Sequence, residues 1–417
     1  MYNILCYPIS GTKLTSKKSR SRYLVKVEPP TSAGEAFYTY SGMFFEAAHT
    51  LAAELLNGEH TTISQLDTYI FPLAFLYRHS LELILKSIAF QSITTKEDQI
   101  TFLKSTRHNP KLILDKILSK CNCTRAKNEI LWLQRFFLDI ETLDKESDSF
   151  RYPFHIVWED DEWGDRIYSI DLVFAKQTHL NLIAFANKFE AAFEILNKWY
   201  AQDPSPAVEW QEVNTVLFEE GGSYYEQSVV GYKFLRQPYY SYIEGYLEAA
   251  GFLRTRMKEA RDCNSNENSD LFLPVCYILR NCVELVLKAV WFDETGETLK
   301  TRCEMMLDKK HSIYGLWNAI REYGIKYASS DDSLEFIENI DEYCQQLHDF
   351  DADANKFRYP YSNSMEPYFK ERRKFDFINV TTFMESIVNA IRAIESTIES
   401  IREYEAEMQS EYSDQWD

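Results

Sequence analysis

No run of this chain is apolar for long enough to span a bilayer. The best candidate, residues 71–90, is interrupted by Arg78, His79, Glu82 and Lys86. The opening MYNILCYPIS lacks the charged lead and apolar core of a secretory signal, and we expect a cytoplasmic protein with no membrane partner. The eight cysteines form no CxxC pair, and the CNC at Cys121 to Cys123 is too tight for a usual zinc knuckle. They read as reduced, mostly buried thiols. There is no Gly-rich phosphate loop, no HExxH and no nucleophile elbow. The eight histidines do not cluster by spacing, so neither a metal site nor a cofactor is expected.

Basic charge is also in deficit. Forty-five Lys and Arg stand against 64 Asp and Glu, and the net charge of −19 disfavours a broad nucleic-acid face. The deficit is uneven. Residues 1–27 hold Lys13, Lys17, Lys18, Arg20, Arg22 and Lys26 with no acid, and read as a solvated basic arm. Residues 399–417 are acidic and read as the frayed exit of a helix.

What the chain does have is a stretch written twice. Residues 71–90, FPLAFLYRHSLELILKSIAF, return as residues 273–292, LPVCYILRNCVELVLKAVWF. In each copy Pro72 or Pro274 opens an apolar run. An Arg, a Glu and a Lys then follow at steps of four: Arg78, Glu82, Lys86 and Arg280, Glu284, Lys288. Steps of four set three side chains along one stripe of a helix. A helix apolar over the rest of its circumference is buried, so these charges need partners.

The spacing of 202 also carries Tyr38, Tyr40 and Glu46 onto Tyr240, Tyr242 and Glu248. It drifts to 203 at His108 and His311, and to 207 at FRYP, residues 150–153 and 357–360, as loop insertions allow. Two copies of about 165 residues suit two domains of common size, and 45% hydrophobic residues are ample for two cores. The expected fold is all-α: two tandem repeated helical bundles with minor short strands.

The boundaries read as a basic extension 1–36, a first domain 37–200, a linker 201–238, a second domain 239–405 and an acidic tail 406–417. Periodicity predicts helices over 40–56, from Pro72, and over 111–118 and 127–143. An acidic loop, WEDDEWGDR, then precedes a helix capped by Asp171 and running to about residue 200. The second copy predicts helices over 242–257, 274–292, 313–323, 334–350 and 379–405, while 23–27 and 213–218 read as strands.

Two chemical readings follow. In one, Glu46, Arg78, Glu82, Lys86 and Arg151 satisfy one another inside the bundle, with Glu248, Arg280, Glu284, Lys288, Arg358 and Tyr359 as their counterparts. In the other, Arg151, Tyr152 and His155 form a ribonuclease-like set. His108 and His311 read as loop-anchoring or capping residues. After FRYP the copies diverge in charge, the first carrying acids and the second Lys370, Arg372, Arg373 and Lys374, a candidate phosphate-binding or pairing surface.

A helical bundle with a polar residue in an early helix and an arginine after a late one, in a context such as Phe-Arg, resembles the HEPN superfamily. That family includes RNA-cleaving toxins, antiphage effectors and catalytically silent binding members. Its active members carry an Arg, four to six residues and a His, paired across a dimer. The resemblance places Arg151 and Arg358 at the family arginine. His155 follows Arg151 with three residues between, and the second copy, RYPYSNS, has no histidine. It implies a tandem module that binds RNA or a partner protein, or homo-oligomerises, in antiphage defence or a toxin–antitoxin pair. Its alternative is a metal-independent endoribonuclease with one asymmetric site between the repeats.

Overall fold

The computed structural model describes residues 6–16, 21–57, 61–120, 126–205, 213–231, 238–328 and 330–414. Lys17, Lys18 and Arg20 of the basic arm, Cys121 to Cys123, and the last residues of the acidic tail lie outside these.

The chain begins with β1 (Leu24–Val27), α1 (Ala33–Asn57), the short α2 (Ile63–Thr68) and α3 (Ile70–Ser92). Next come α4 (Lys96–Thr106), α5 (Pro110–Lys120), α6 (Lys127–Asp144), β2 (Phe154–Asp160), β3 (Arg166–Leu172), β4 (Thr178–Asn181) and α7 (Leu182–Tyr200). A second series follows: β5 (Gln227–Val230), α8 (Tyr240–Asp262), α9 (Phe272–Ala289), α10 (Leu299–Lys309), α11 (Ile313–Tyr327) and α12 (Asp331–Phe350). It ends with β6 (Arg373–Asp376) and α13 (Phe377–Asp414). The molecule is mostly helical.

Pro72 and Pro274 sit in the first turns of α3 and α9, where the missing N–H costs no helical hydrogen bond. Both helices are buried over nearly their whole length. The apolar side chains form one connected core through both series, where two separate cores were expected. Phe75 stacks on Tyr277 with ring centroids 4.7 Å apart, and Phe71 on Tyr242 at 3.8 Å. At Gly245 a Cβ would meet the Thr68 carbonyl oxygen at 2.1 Å, so only glycine lets α8 cross the end of α2 this closely.

The strands tie the series together. β1 pairs antiparallel with β6, with Val25 opposite Phe375, and β5 pairs with β4, with Val229 opposite His179. Each strand that precedes a series thus pairs with the strand that leads into the last helix of the other.

Several expectations are corrected. The acidic loop is the β2–β3 hairpin, closed around Asp161 and Asp165 with Gly164 at φ 83°. Asp171 lies in β3 opposite His155, and the helix it was expected to cap starts at Leu182 under Asn181, whose side chain accepts from the Ala184 N–H. Residues 213–218 form no strand; Trp132 Nε1 donates to the Val213 carbonyl and the Leu217 N–H to Asp139. The strand lies later, at β5. Two helices had no periodic signal: α4 and α10 are capped by Thr95 and Thr298 and bury few side chains. The first helix begins at Ala33, inside the expected basic extension.

Candidate functional site

The carboxylate of Glu82 is the hub of a buried cluster. Its Oε2 accepts from Arg78 at 2.5 Å, and its Oε1 from Lys86 at 2.7 Å and from the Tyr359 hydroxyl at 2.8 Å. His108 Nδ1 lies 3.2 Å from the same Oε1 and 2.9 Å from the Tyr359 oxygen, so an Nδ1–H tautomer shares its proton between them. Arg78 also donates to the His108 carbonyl and lies 3.1 Å, through Nε, from Asp144.

The second series builds the same cluster with the partners exchanged. Glu284 accepts from Arg280, from Lys288 at 2.8 Å and from Tyr152 at 2.6 Å, with His311 Nδ1 at 3.0 Å. Arg280 donates to the His311 carbonyl and faces Asp351 at 3.8 Å. Each glutamate therefore receives the tyrosine of the other series' FRYP.

The FRYP turns are held by local chemistry. Ser147 and Ala354 take left-handed φ values of 67° and 58°. Asp144 accepts from the Ser149 N–H, and Asp351 from the Asn355 and Lys356 N–H groups, so these aspartates fix both the turn and the arginine of the stripe. Tyr242 and Tyr246 of α8 donate to the carbonyls of Ser149 and Phe150, docking the first turn on the second series.

Within the turns, Arg151 donates to the Ser147 carbonyl at 2.7 Å and pairs with Asp148. Asn355 stands in the place of Asp148 in the second turn, and no described carboxylate forms an ion pair with Arg358. The Arg358 guanidinium instead lies 5.2 Å from the Tyr277 ring and 5.5 Å from that of Phe75. His79 Nε2 lies 3.1 Å from the Arg358 carbonyl.

Burial works to raise the carboxyls of Glu82 and Glu284, but the adjacent lysine, histidine and arginine hold both well below the usual carboxylate range. Burial depresses Lys86 and His108, with Glu82 opposing it, and raises the Tyr359 hydroxyl, with Glu82 adding to the effect. The cluster is thus an anion held by cations, beside a neutral-leaning imidazole and a protonated phenol.

The other candidate residues are placed differently. Glu46 and Glu248 are exposed and stand outside the network. His155 is exposed on β2, its Nε2 3.4 Å from Ser149 Oγ, while Arg151 is buried and engaged by other groups. Arg372 and Arg373 are exposed beside and on β6, Arg372 paired with Glu28 at 2.6 Å. Sequence reasoning missed Asp144 and Asp351 as network members, although both stand six residues before the phenylalanine of FRYP.

Next to the first cluster opens a cavity of about 360 Å³. Lys86, Lys104, Arg107 and His108 line it, with no carboxylate among the described lining residues. No described group of three or more His, Cys, Asp or Glu is arranged to hold a metal ion, and no described helix is long and apolar enough to cross a membrane. No protein-family model, no curated protein and no solved structure matches the chain.

Proposed function

We propose that the chain is a tandem HEPN-like protein whose halves form an internal pseudo-twofold pair, and that it binds RNA without cutting it. The crossed tyrosines support the pairing: Tyr152 serves Glu284 and Tyr359 serves Glu82, as expected where a duplicated fold keeps the interface of an ancestral dimer. The observation that carries the binding is a lining without a described carboxylate in which Lys104 and Arg107 are exposed and in no described ion pair, beside Lys86 and His108 that Glu82 engages, on a chain of net charge −19. The HEPN resemblance supplies the setting, antiphage defence or a toxin–antitoxin pair.

The arrangement of the arginines favours binding over cleavage. Arg151 is spent on the turn that carries Tyr152, and His155 sits apart from it on an exposed strand. The test is RNA binding by fluorescence anisotropy across a salt series, with the RNA then examined on a gel. The expected result is intact RNA bound with an affinity that falls with salt and drops about tenfold or more when Lys104→Ala and Arg107→Gln are combined. Absence of binding overturns the proposal. Cleavage abolished by Arg151→Ala would instead establish an endoribonuclease centred on Arg151, Tyr152 and His155.

A further inference from the structure

We propose that the outer edge of β1 takes an extended peptide segment of a partner protein, added antiparallel as a third strand and patterned apolar, acidic, apolar. This goes beyond the RNA-binding reading and uses none of the described residues that line the cavity beside Glu82.

The two series treat one strand edge differently. In both, the residue before the first strand accepts from the residue that opens the other series' last helix: the Phe377 N–H donates to the Tyr23 carbonyl at 3.1 Å and the Leu182 N–H to the Glu226 carbonyl at 2.9 Å. Antiparallel partners alternate between bonded and non-bonded pairs, so these bonds set the phase, and Leu24 and Lys26 turn their N–H and C=O groups away from β6. Val229 is the third residue of β5, as Lys26 is of β1. The outward N–H of Val229 is capped by the Asp67 carboxylate of α2 at 2.7 Å. At the 202 spacing Asp67 becomes Ser269, whose hydroxyl is spent on the Asn266 carbonyl and on Arg261. The outward N–H and C=O of Lys26 are therefore left without a partner among the described residues.

That open edge lines a cavity of about 530 Å³, within the ~300–1,000 Å³ typical of ligand pockets. An unpaired strand edge is a template for another chain, and extended backbone offers both the acceptor and the donor that Lys26 lacks. The side-chain pattern follows from the two faces of the ribbon. On one face Val25 and Val27 are buried, and with Tyr40, Phe272 and Phe369 they give the cavity an apolar wall. On the other, Lys26 lies directly opposite Lys374; both are exposed and neither forms an ion pair with a described residue. Like charges opposed across a ribbon are unfavourable, and an acid on an incoming strand beside Lys26 relieves them. Of the acids in the lining, Glu28 pairs with Arg372, Glu35 accepts from the Thr31 hydroxyl, and Asp270 stands on the turn that holds Ser269, off the ribbon. The Tyr40 hydroxyl supplies a further donor. Its counterpart Tyr242 donates to the Ser149 carbonyl, whereas Tyr40, buried in the cavity wall, has no hydrogen-bond partner among the described residues.

The test is calorimetric titration of the full chain with three capped hexapeptides: one centred on Val-Glu-Val, one on Val-Lys-Val, and the first with its glutamate amide N-methylated. We expect one equivalent of the Val-Glu-Val peptide per chain, bound about fivefold or more tighter than either of the others. Lys26→Pro deletes the outward N–H but keeps the bonds to β6, so it should weaken binding about fivefold or more with a thermal midpoint near that of the parent. Lys26→Glu should reverse the preference between the acidic and basic peptides, and Tyr40→Phe should weaken binding about threefold. No binding of the Val-Glu-Val peptide, equal binding of its N-methylated form, or indifference to Lys26→Pro in a folded chain would overturn the inference. Should Lys26→Pro fail to fold, an unreversed preference in Lys26→Glu overturns it instead. If Lys26→Glu weakens RNA binding while no peptide binds, the edge belongs to an RNA surface and the inference falls. If the peptide binds as expected and RNA does not bind at all, the RNA reading falls and the peptide site stands.

Discussion

Tyr359 donates its hydroxyl to Glu82 at 2.8 Å across 277 positions of chain, and Tyr152 does the same to Glu284 at 2.6 Å across 132. The two bonds run in opposite directions between the series. Neither half can complete its own buried carboxylate, and the pairing of halves is therefore built into the satisfaction of charge.

Removing one hydroxyl tests that dependence. Tyr359→Phe keeps the ring and deletes a hydrogen bond to a buried anion, so a loss of about 1.5–3 kcal/mol is expected in urea denaturation. Tyr152→Phe should cost a similar amount. A loss near zero for both would mean that the crossed bonds contribute nothing to stability.

Removing the hub should cost more. Among the described residues, Glu82→Leu leaves Arg78 with only Asp144 as an ion-pair partner and Lys86 with none, and stranding a buried charge costs about 3–5 kcal/mol. Glu46→Leu, on the exposed face of α1, should stay within about 0.5 kcal/mol of the parent. The two variants differ in the same chemistry at different depths, and equal denaturation midpoints would contradict the network.

The contrast between Glu46 and Glu82 also marks how much was legible. Both recur at the 202 spacing, but repetition says that a position is kept in both copies and not which way it faces. The central helices and their stripe were readable because steps of four on an apolar helix leave one geometric solution. Asp144 and Asp351 were not picked out because their role depends on a turn that folds back onto another helix, which no local period reports. The β2–β3 hairpin was hidden for a related reason. Its strands carry Glu159, Asp160 and Arg166 at the tip end, so the run reads as solvated loop, and only pairing, with Trp158 beside Arg166, makes it a ribbon.

Stability should fall on mild acidification. Burial, reinforced by Arg358, pushes the His79 imidazole well below its usual range, and burial lowers His108 although Glu82 opposes it. Both groups bind fewer protons folded than unfolded. Their contribution is complete above about pH 6.5 and is lost as the pH drops through that value toward the folded ones. Glu82 and Glu284, which burial alone would raise but their cationic neighbours depress, add a second loss below about pH 4. Thermal midpoints between about pH 8 and about pH 2 should show both steps, and His79→Gln should flatten the first. A midpoint constant from pH 7 to 5 would contradict this.

The basic segment at β6 should be energetically quiet. Arg372 and Glu28 form an exposed ion pair, so reversing Arg372 and Arg373 to Glu should change stability by no more than about 0.5 kcal/mol. Under the proposed function, RNA binding through Lys104 and Arg107 should be unchanged. A large loss of either would show that the β1–β6 ribbon does more than join the halves.

The central claim, that each half completes the other, is tested most directly by producing residues 1–205 and 213–417 separately and then together. Circular dichroism and light scattering should find each piece alone poorly folded or self-associated. Their mixture should be a one-to-one complex in which Tyr359→Phe on one piece weakens assembly. Two stable, monomeric halves that ignore each other would contradict the account.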